Sequence, residues 1–174
     1  MEYLEKLDYS FFQYIEQRLA TSSQKNLAYE LKVSKSTMSS WNQAIKMKNL
    51  YLAGYLTQND LLNPKIGGVP MQITPESKQD LMEEHTHLSY KEMGKRYHVH
   101  KDTIRHWIRK DSLPELDPME KRKNQEGVKD LIHEILSCLE KEGMQAAKGK
   151  FHLNRNRIYL ILMLSRAIGF GTAN

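Results

Sequence analysis

Residues 27–41, LAYELKVSKSTMSSW, and residues 93–107, MGKRYHVHKDTIRHW, write one steric pattern twice. An apolar residue opens each stretch (Leu27, Met93) and a small one follows (Ala28, Gly94). Valine stands seventh (Val33, Val99), threonine eleventh (Thr37, Thr103) and tryptophan last (Trp41, Trp107). Leu31 and Met38 in the first stretch match Tyr97 and Ile104 in the second. Two short helices that cross steeply over a tight turn need this set: a small side chain where the backbones approach, and apolar residues tying the pair together. Plain amphipathic packing in an all-α protein, with the tryptophans as core, requires the helical period alone. It does not require the small residue, the valine and the polar helix start together.

On these residues both stretches resemble the helix-turn-helix of bacterial and phage DNA-binding proteins, as found in phage repressors and transposase-type modules. The resemblance covers about twenty residues per copy and implies that the second helix of each pair lies in the major groove. Both copies depart from the family at the turn, where glycine is most frequent: Lys32 and His98 stand there. A non-glycine residue at positive φ costs roughly 1 kcal/mol, so turns of slightly altered shape are expected.

Around the two copies the periodicity predicts an all-α chain. Leu4, Leu7, Phe11, Phe12, Ile15 and Leu19 mark a first amphipathic helix, and the cluster TSSQKN supplies side chains that accept N–H bonds at the start of the next. The helix carrying Trp41 is expected to run to about Lys48, with LYLAGYLTQNDLL adding apolar cover of undetermined form. Asn63 to Ile73, rich in proline and glycine, reads as a linker. Thr74 and Pro75 read as the cap and first residue of a helix reaching about Glu84. Ser89 with Glu92 is a capping box opening a helix to Tyr97, and His100 begins one over Lys101 to Lys110. Val128 to Leu139 form a further amphipathic helix, ended near Gly143. The expected organisation is a first three-helix unit in residues 1–62, a linker in 63–73, a second unit in 74–117 and a C-terminal helical region in 118–174.

That C-terminal region holds a weaker third copy. Residues 144–162, MQAAKGKFHLNRNRIYLIL, resemble the C-terminal helix-turn-helix of nucleoid and enhancer-binding proteins, with Ala147, Phe151, Leu153, Ile158 and Ile161 in the apolar slots. The small-residue slot falls on Lys148 unless the turn is one residue longer. Asn154, Arg155 and Arg157 suit DNA. Tyr159 and Leu160 fall where groove-facing residues usually stand, and Leu160, Leu162, Met163 and Leu164 would suit a homodimer surface. Both readings of this segment stand at the level of sequence.

Composition fits such a protein. The chain of 174 residues is 40% hydrophobic and 27% charged, with a net charge of +5. No apolar run approaches the ~20 residues that span a bilayer, and the N-terminus lacks the basic start and cleavage site of a signal peptide. A cytoplasmic, nucleoid-associated protein with no membrane partner is expected. The single cysteine, Cys138, closes no internal disulfide and is read as a buried bystander. Charge is unevenly spread: Lys91 to Lys110 holds seven basic residues against Glu92 and Asp102, so one side of the second unit should be positive and suited to a phosphate backbone.

The exposed early positions of a recognition helix face base edges. In the first unit these are Ser34, Lys35, Ser36, Ser39, Ser40 and Gln43, whose hydroxyls discriminate poorly among bases. In the second they are His100, Lys101, Asp102, Arg105, His106, Arg109 and Lys110. Arg105 can present two donors to O6 and N7 of guanine, and Asp102 can accept from a cytosine amino group or cap its own helix. His85, His87, His98 and His100 form two H-x-H pairs but have no cysteine nearby, so neither a metal nor any other cofactor is expected. There is no phosphate-cradling glycine loop, nucleophile elbow or acidic triad, and the chain is read as non-enzymatic. The expected function is a double-stranded DNA-binding transcription regulator, a bacterial or phage repressor. The alternatives are a DNA-organising factor for replication, transposition or segregation, and a protein-interaction antagonist of another DNA-binding protein.

Overall fold

The structure is a computed structural model that describes residues 6–63, 78–97, 99–109 and 117–170. Every element among the described residues is a helix, so the all-α class is as expected. No helix among them is long and apolar enough to cross a membrane. The chain divides into two compact units, one of Met1–Asn49 with Gly127–Asn174 and one of Leu50–Glu126. This differs from the sequential division drawn at the proline-rich segment, of which only Asn63 is described: the two ends of the chain share a unit.

In the first unit, α1 (Tyr9–Thr21) opens at Asp8, which accepts the Phe11 N–H at 2.8 Å. α2 (Gln24–Glu30) opens at Ser23, which accepts the Asn26 N–H at 3.2 Å, the role expected of the serine cluster. α3 (Lys35–Leu52) runs a turn further than its periodicity suggested. Phe12 and Ile15 of α1, Leu27 and Ala28 of α2, and Met38, Trp41, Ala44, Ile45 and Met47 of α3 are buried. Each large side chain so enclosed contributes about 1.5–3 kcal/mol. Lys48 is buried too, and its ammonium meets the Glu16 carboxylate, whose second oxygen accepts Asn49 Nδ2 at 2.9 Å. A cation taken from water needs such a partner.

α8 (Pro118–Phe151) is interrupted at Gly143, where φ is 83° and ψ −179°. That region of backbone space is open essentially to glycine alone, so the helix breaks where the sequence placed its end. Residues 144–151 then resume, and α9 (Arg155–Ile168) follows from the N-cap Asn154 to Gly169 in the left-handed conformation. α9 packs on α1. Leu160, Leu162, Met163 and Leu164 are buried within the chain, which corrects the expectation of an exposed homodimer surface there. A helix apolar around its circumference is satisfied by enclosure in its own fold, with no second copy needed.

In the second unit, Gly54 turns the chain after α3 with φ 81°, and a Cβ there would stand 2.5 Å from the Lys121 Cβ. Asn124 Nδ2 donates to the Gly54 carbonyl at 3.0 Å, and Gln125 Nε2 to those of Tyr51 and Leu52 at 3.1 and 3.0 Å, bonding carbonyls at and just past the end of α3. The segment of undetermined form contains a short helix, α4 (Gln58–Leu62), opened by a capping box of Thr57 and Asp60. α5 (Lys78–His85), α6 (Tyr90–Tyr97) and α7 (Lys101–Arg109) pack on one another. Leu81, Met93, Tyr97, Ile104 and Trp107 form their core, closed by Leu88, Tyr90, Val99 and Ile108. Thr74 and Pro75, the expected start of α5, lie outside the described residues. Ser89 and Glu92 make the expected capping box, and Glu84 ties α5 to α6 by accepting the Tyr97 hydroxyl at 2.9 Å and facing Arg96 at 3.3 Å. Burial, and then this bond to Glu84, push the Tyr97 phenol well above its ordinary range, so it stays a neutral donor.

Candidate nucleic-acid interface

The turn between the two helices of each motif is built from the same backbone bond. Val33 N–H reaches the Ala28 carbonyl at 3.0 Å, Val99 N–H the Gly94 carbonyl at 2.9 Å, and Leu153 N–H the Lys148 carbonyl at 3.3 Å. This six-residue closure ends a helix through a residue in the left-handed conformation. Lys32 and His152 hold that place, each with φ 55°. The equivalent His98 lies outside the described residues. The second helix then begins two residues later at Ser34, His100 or Asn154. The third turn therefore has the same length as the others, and Lys148 occupies the small-residue slot. In the second turn a Cβ on residue 94 would stand 2.8 Å from the Val99 carbonyl oxygen, so this crossing is tight enough to require glycine.

Because the three turns share a register, their second helices can be compared position by position. In α3, Met38, Trp41 and Ala44 are buried, while Lys35, Ser36, Ser39 and Gln43 stand exposed. Ser36, Ser39, Gln43 and Lys46 follow at intervals of three and four, one continuous exposed ridge. Lys46 was not singled out from the sequence, although this spacing carries it. Two of the expected readers are engaged within the helix. Ser34 Oγ accepts the Thr37 N–H at 3.0 Å as the N-cap, and the half-buried Ser40 donates to the Ser36 carbonyl at 3.1 Å.

In α7, His100, Lys101, Asp102, Arg105 and His106 are all exposed, against buried Ile104 and Trp107. Arg105 Nη1 donates to Asp102 Oδ1 at 2.8 Å, and the other carboxylate oxygen lies 3.2 Å from His100 Nδ1. Asp102 thus organises its neighbours. In the tautomer with a bare Nδ1, the same His100 nitrogen instead accepts the Asp102 N–H at 3.3 Å and caps the helix. Arg109 is the last residue of α7 with its side chain outside the description, and Lys110 lies outside the described residues.

The third motif departs from the other two beyond its first turn. Asn154 caps α9 by accepting the Arg157 N–H at 2.8 Å, and Arg155 is exposed, its Nε and Nη2 bonded to the Tyr159 hydroxyl at 3.2 and 3.0 Å. Arg157 is half-buried. Leu160 holds the position of Ser40 and His106, and Met163 that of Gln43 and Arg109. Both are buried, so neither faces a groove. What remains open is a basic first turn: Asn154, Arg155 and Asn156.

No family model, no curated protein and no solved structure matches this chain.

Proposed function

We propose that the chain is a sequence-specific double-stranded DNA-binding protein, a bacterial or phage transcription repressor that acts by occupying promoters on the nucleoid in the cytoplasm. The observation that carries this reading is the exposed polar ridge on the second helix of two in-register turns, Ser36, Ser39, Gln43 and Lys46 on α3 and Lys101, Arg105 and His106 on α7. Apolar contacts fix each helix by its opposite face, as a helix presented to a major groove requires. The division of labour follows from side-chain chemistry. Hydroxyls and Lys46 on α3 favour backbone and tolerant base contacts, whereas Arg105 carries the planar fork that suits guanine O6 and N7. The first turn of α9 supplies Arg155 for phosphate, since the positions that would read bases beyond it are enclosed. Association into a homodimer through Leu160 to Leu164 forms no part of the reading.

Selection of bound duplexes from a random pool tests it. Enrichment of a defined motif containing guanine is expected, with affinity for it falling steeply with salt, by about 0.9 in the logarithmic slope for each phosphate neutralised. A pool that returns no motif, together with salt-independent binding, would remove DNA as the partner.

A further inference from the structure

Arg105 is held by more than Asp102. Its guanidinium carbon lies 5.0 Å from the centroid of the Tyr90 ring, and the same ring is stacked on the His85 imidazole at 4.2 Å with 25° between the planes. His85 is itself fixed, with Nδ1 3.2 Å from the Leu88 carbonyl oxygen to which it donates. The imidazole, the phenol ring and the guanidinium come from the end of α5, the start of α6 and the outer face of α7. Tyr90 is half-buried against the core of this three-helix cluster, so the platform is anchored while Arg105 remains exposed.

Resting on the proposed DNA reading, we infer that Tyr90, backed by His85, is a positioning residue that presents Arg105 to a base. The ring covers the guanidinium and Asp102 accepts a hydrogen bond from Nη1, which fixes the plane and the rotation of the fork. Among the described residues Nε and Nη2 have no partner, and these two donors form the edge that can engage guanine O6 and N7 side by side. A free arginine surrenders several rotatable bonds when it binds, and this one has already surrendered them. A cation over an aromatic face is also held more firmly as water leaves, as it does when the duplex arrives. None of this helps a contact to phosphate, which tolerates many geometries. Tyr90 should therefore act on discrimination and hardly on general affinity.

The test compares the full-length wild type with Tyr90→Leu and Tyr90→Phe. The 15N-labelled proteins give the Arg105 Nε–H resonance without DNA, and titrations on the selected duplex and a random duplex give the two affinities. In the wild type and Tyr90→Phe, the Nε–H should be ring-shifted, and binding to the selected site should be equal. In Tyr90→Leu the ring shift should vanish and the selected site should bind about five- to tenfold more weakly, while the random duplex changes less than twofold. Equal losses on both duplexes, or a Phe variant as weak as the Leu variant, would overturn the inference and leave DNA binding intact. A wild type that shows the ring shift but binds neither duplex would overturn the DNA reading, and the inference with it. Should Tyr90→Leu lose its helical signal, His85→Ala replaces it. That variant leaves the Tyr90 ring in place but unbacked, and an unchanged preference for the selected site would again overturn the inference.

Discussion

Trp41 and Trp107 occupy the same position of two motifs, each only 4% exposed, and each meets an aromatic ring edge-on: Phe11 at 4.9 Å and 83°, Tyr97 at 6.3 Å and 80°. The partners differ in origin. Phe11 comes from the preceding helix α1, whereas Tyr97 belongs to the first helix of the motif itself. Replacing Trp107 with alanine should cost about 3–5 kcal/mol, close to the whole stability of so small a core. Since the chain has only two tryptophans, the emission of Trp41 then reports the first unit alone. Loss of helix by circular dichroism with native Trp41 emission is expected. A simultaneous red shift of Trp41 would show that the two cores do not unfold separately.

The turns make opposite predictions for glycine. Lys32 and His152 sit at φ 55°, where an L side chain is strained, so Lys32→Gly and His152→Gly should each raise stability by roughly 0.5–1 kcal/mol. Gly94→Ala, which brings a Cβ to 2.8 Å from the Val99 carbonyl, should lower it by about 1–3 kcal/mol. Urea denaturation of the three variants measures all of these. A destabilised Lys32→Gly would mean that the lysine side chain contributes more than its backbone strain costs.

These turns also mark how far the sequence could be read. The apolar slots from Leu27 to Trp41 and from Met93 to Trp107 were legible because helix crossing imposes a local pattern, and the break at Gly143 because one residue type fits that backbone. The register of the third turn was not legible, because Lys148 is an unusual occupant and the bond from Leu153 that fixes the length leaves no mark in residue types. The enclosure of Leu160 and Met163 was missed for a different reason. Periodicity says that an apolar face must be covered but not by what, and one of the helices packed on α9 is α1, more than a hundred residues away in the chain. Tyr90 escaped notice likewise, and His85 was weighed only as half of an H-x-H pair, since their contacts with each other and with Arg105 join three helices.

The capping box of α6 gives a pH dependence. Bonds from the Ser89 hydroxyl and backbone N–H hold the Glu92 carboxyl below its ordinary value of 4.5. A depressed folded-state value means that the stabilisation is fully present above the unfolded value and is lost as pH falls through the folded one. Stability measured from pH 6 downward should therefore begin to fall below about 4.5, and Glu92→Gln should flatten that part of the curve. Identical acid limbs for wild type and variant would assign the loss to other carboxylates.

Burial of the C-terminal helix predicts the outcome of charge insertion. Leu160→Glu and Met163→Glu place an unpaired carboxylate at sites 7% exposed, so each should destabilise the first unit severely, by about 3 kcal/mol or more. A dimer surface would behave differently, yielding folded monomers. Circular dichroism with sedimentation separates the two: loss of helix supports enclosure, and a folded monomer from a dimeric wild type would restore the interface.

The repetition of the motif leads to a prediction about DNA spacing, and the shared unit of the chain ends decides how to test it. Residues 1–66 alone would leave the α1 face that packs on α9 uncovered, so truncation would confuse folding with binding. The full chain must be used and the DNA varied instead. The two recognition helices, the Ser36–Lys46 ridge and α7, belong to different compact units of one chain, so they stay within the reach of a single molecule. Two weak readers joined in this way act at high effective concentration, so their joint affinity exceeds either alone without a longer recognition helix. The full chain should protect two adjacent major-groove segments. Inserting about five base pairs between them turns one subsite to the opposite face and should remove most of the gain, while about ten base pairs should restore the face but stretch the reach. Arg105→Ala should weaken the selected site by ~1–3 kcal/mol and leave the footprint of the α3 subsite in place. If binding ignores the insertion, only one of the two motifs reads DNA, and the exposed ridge from Ser36 to Lys46 serves another purpose.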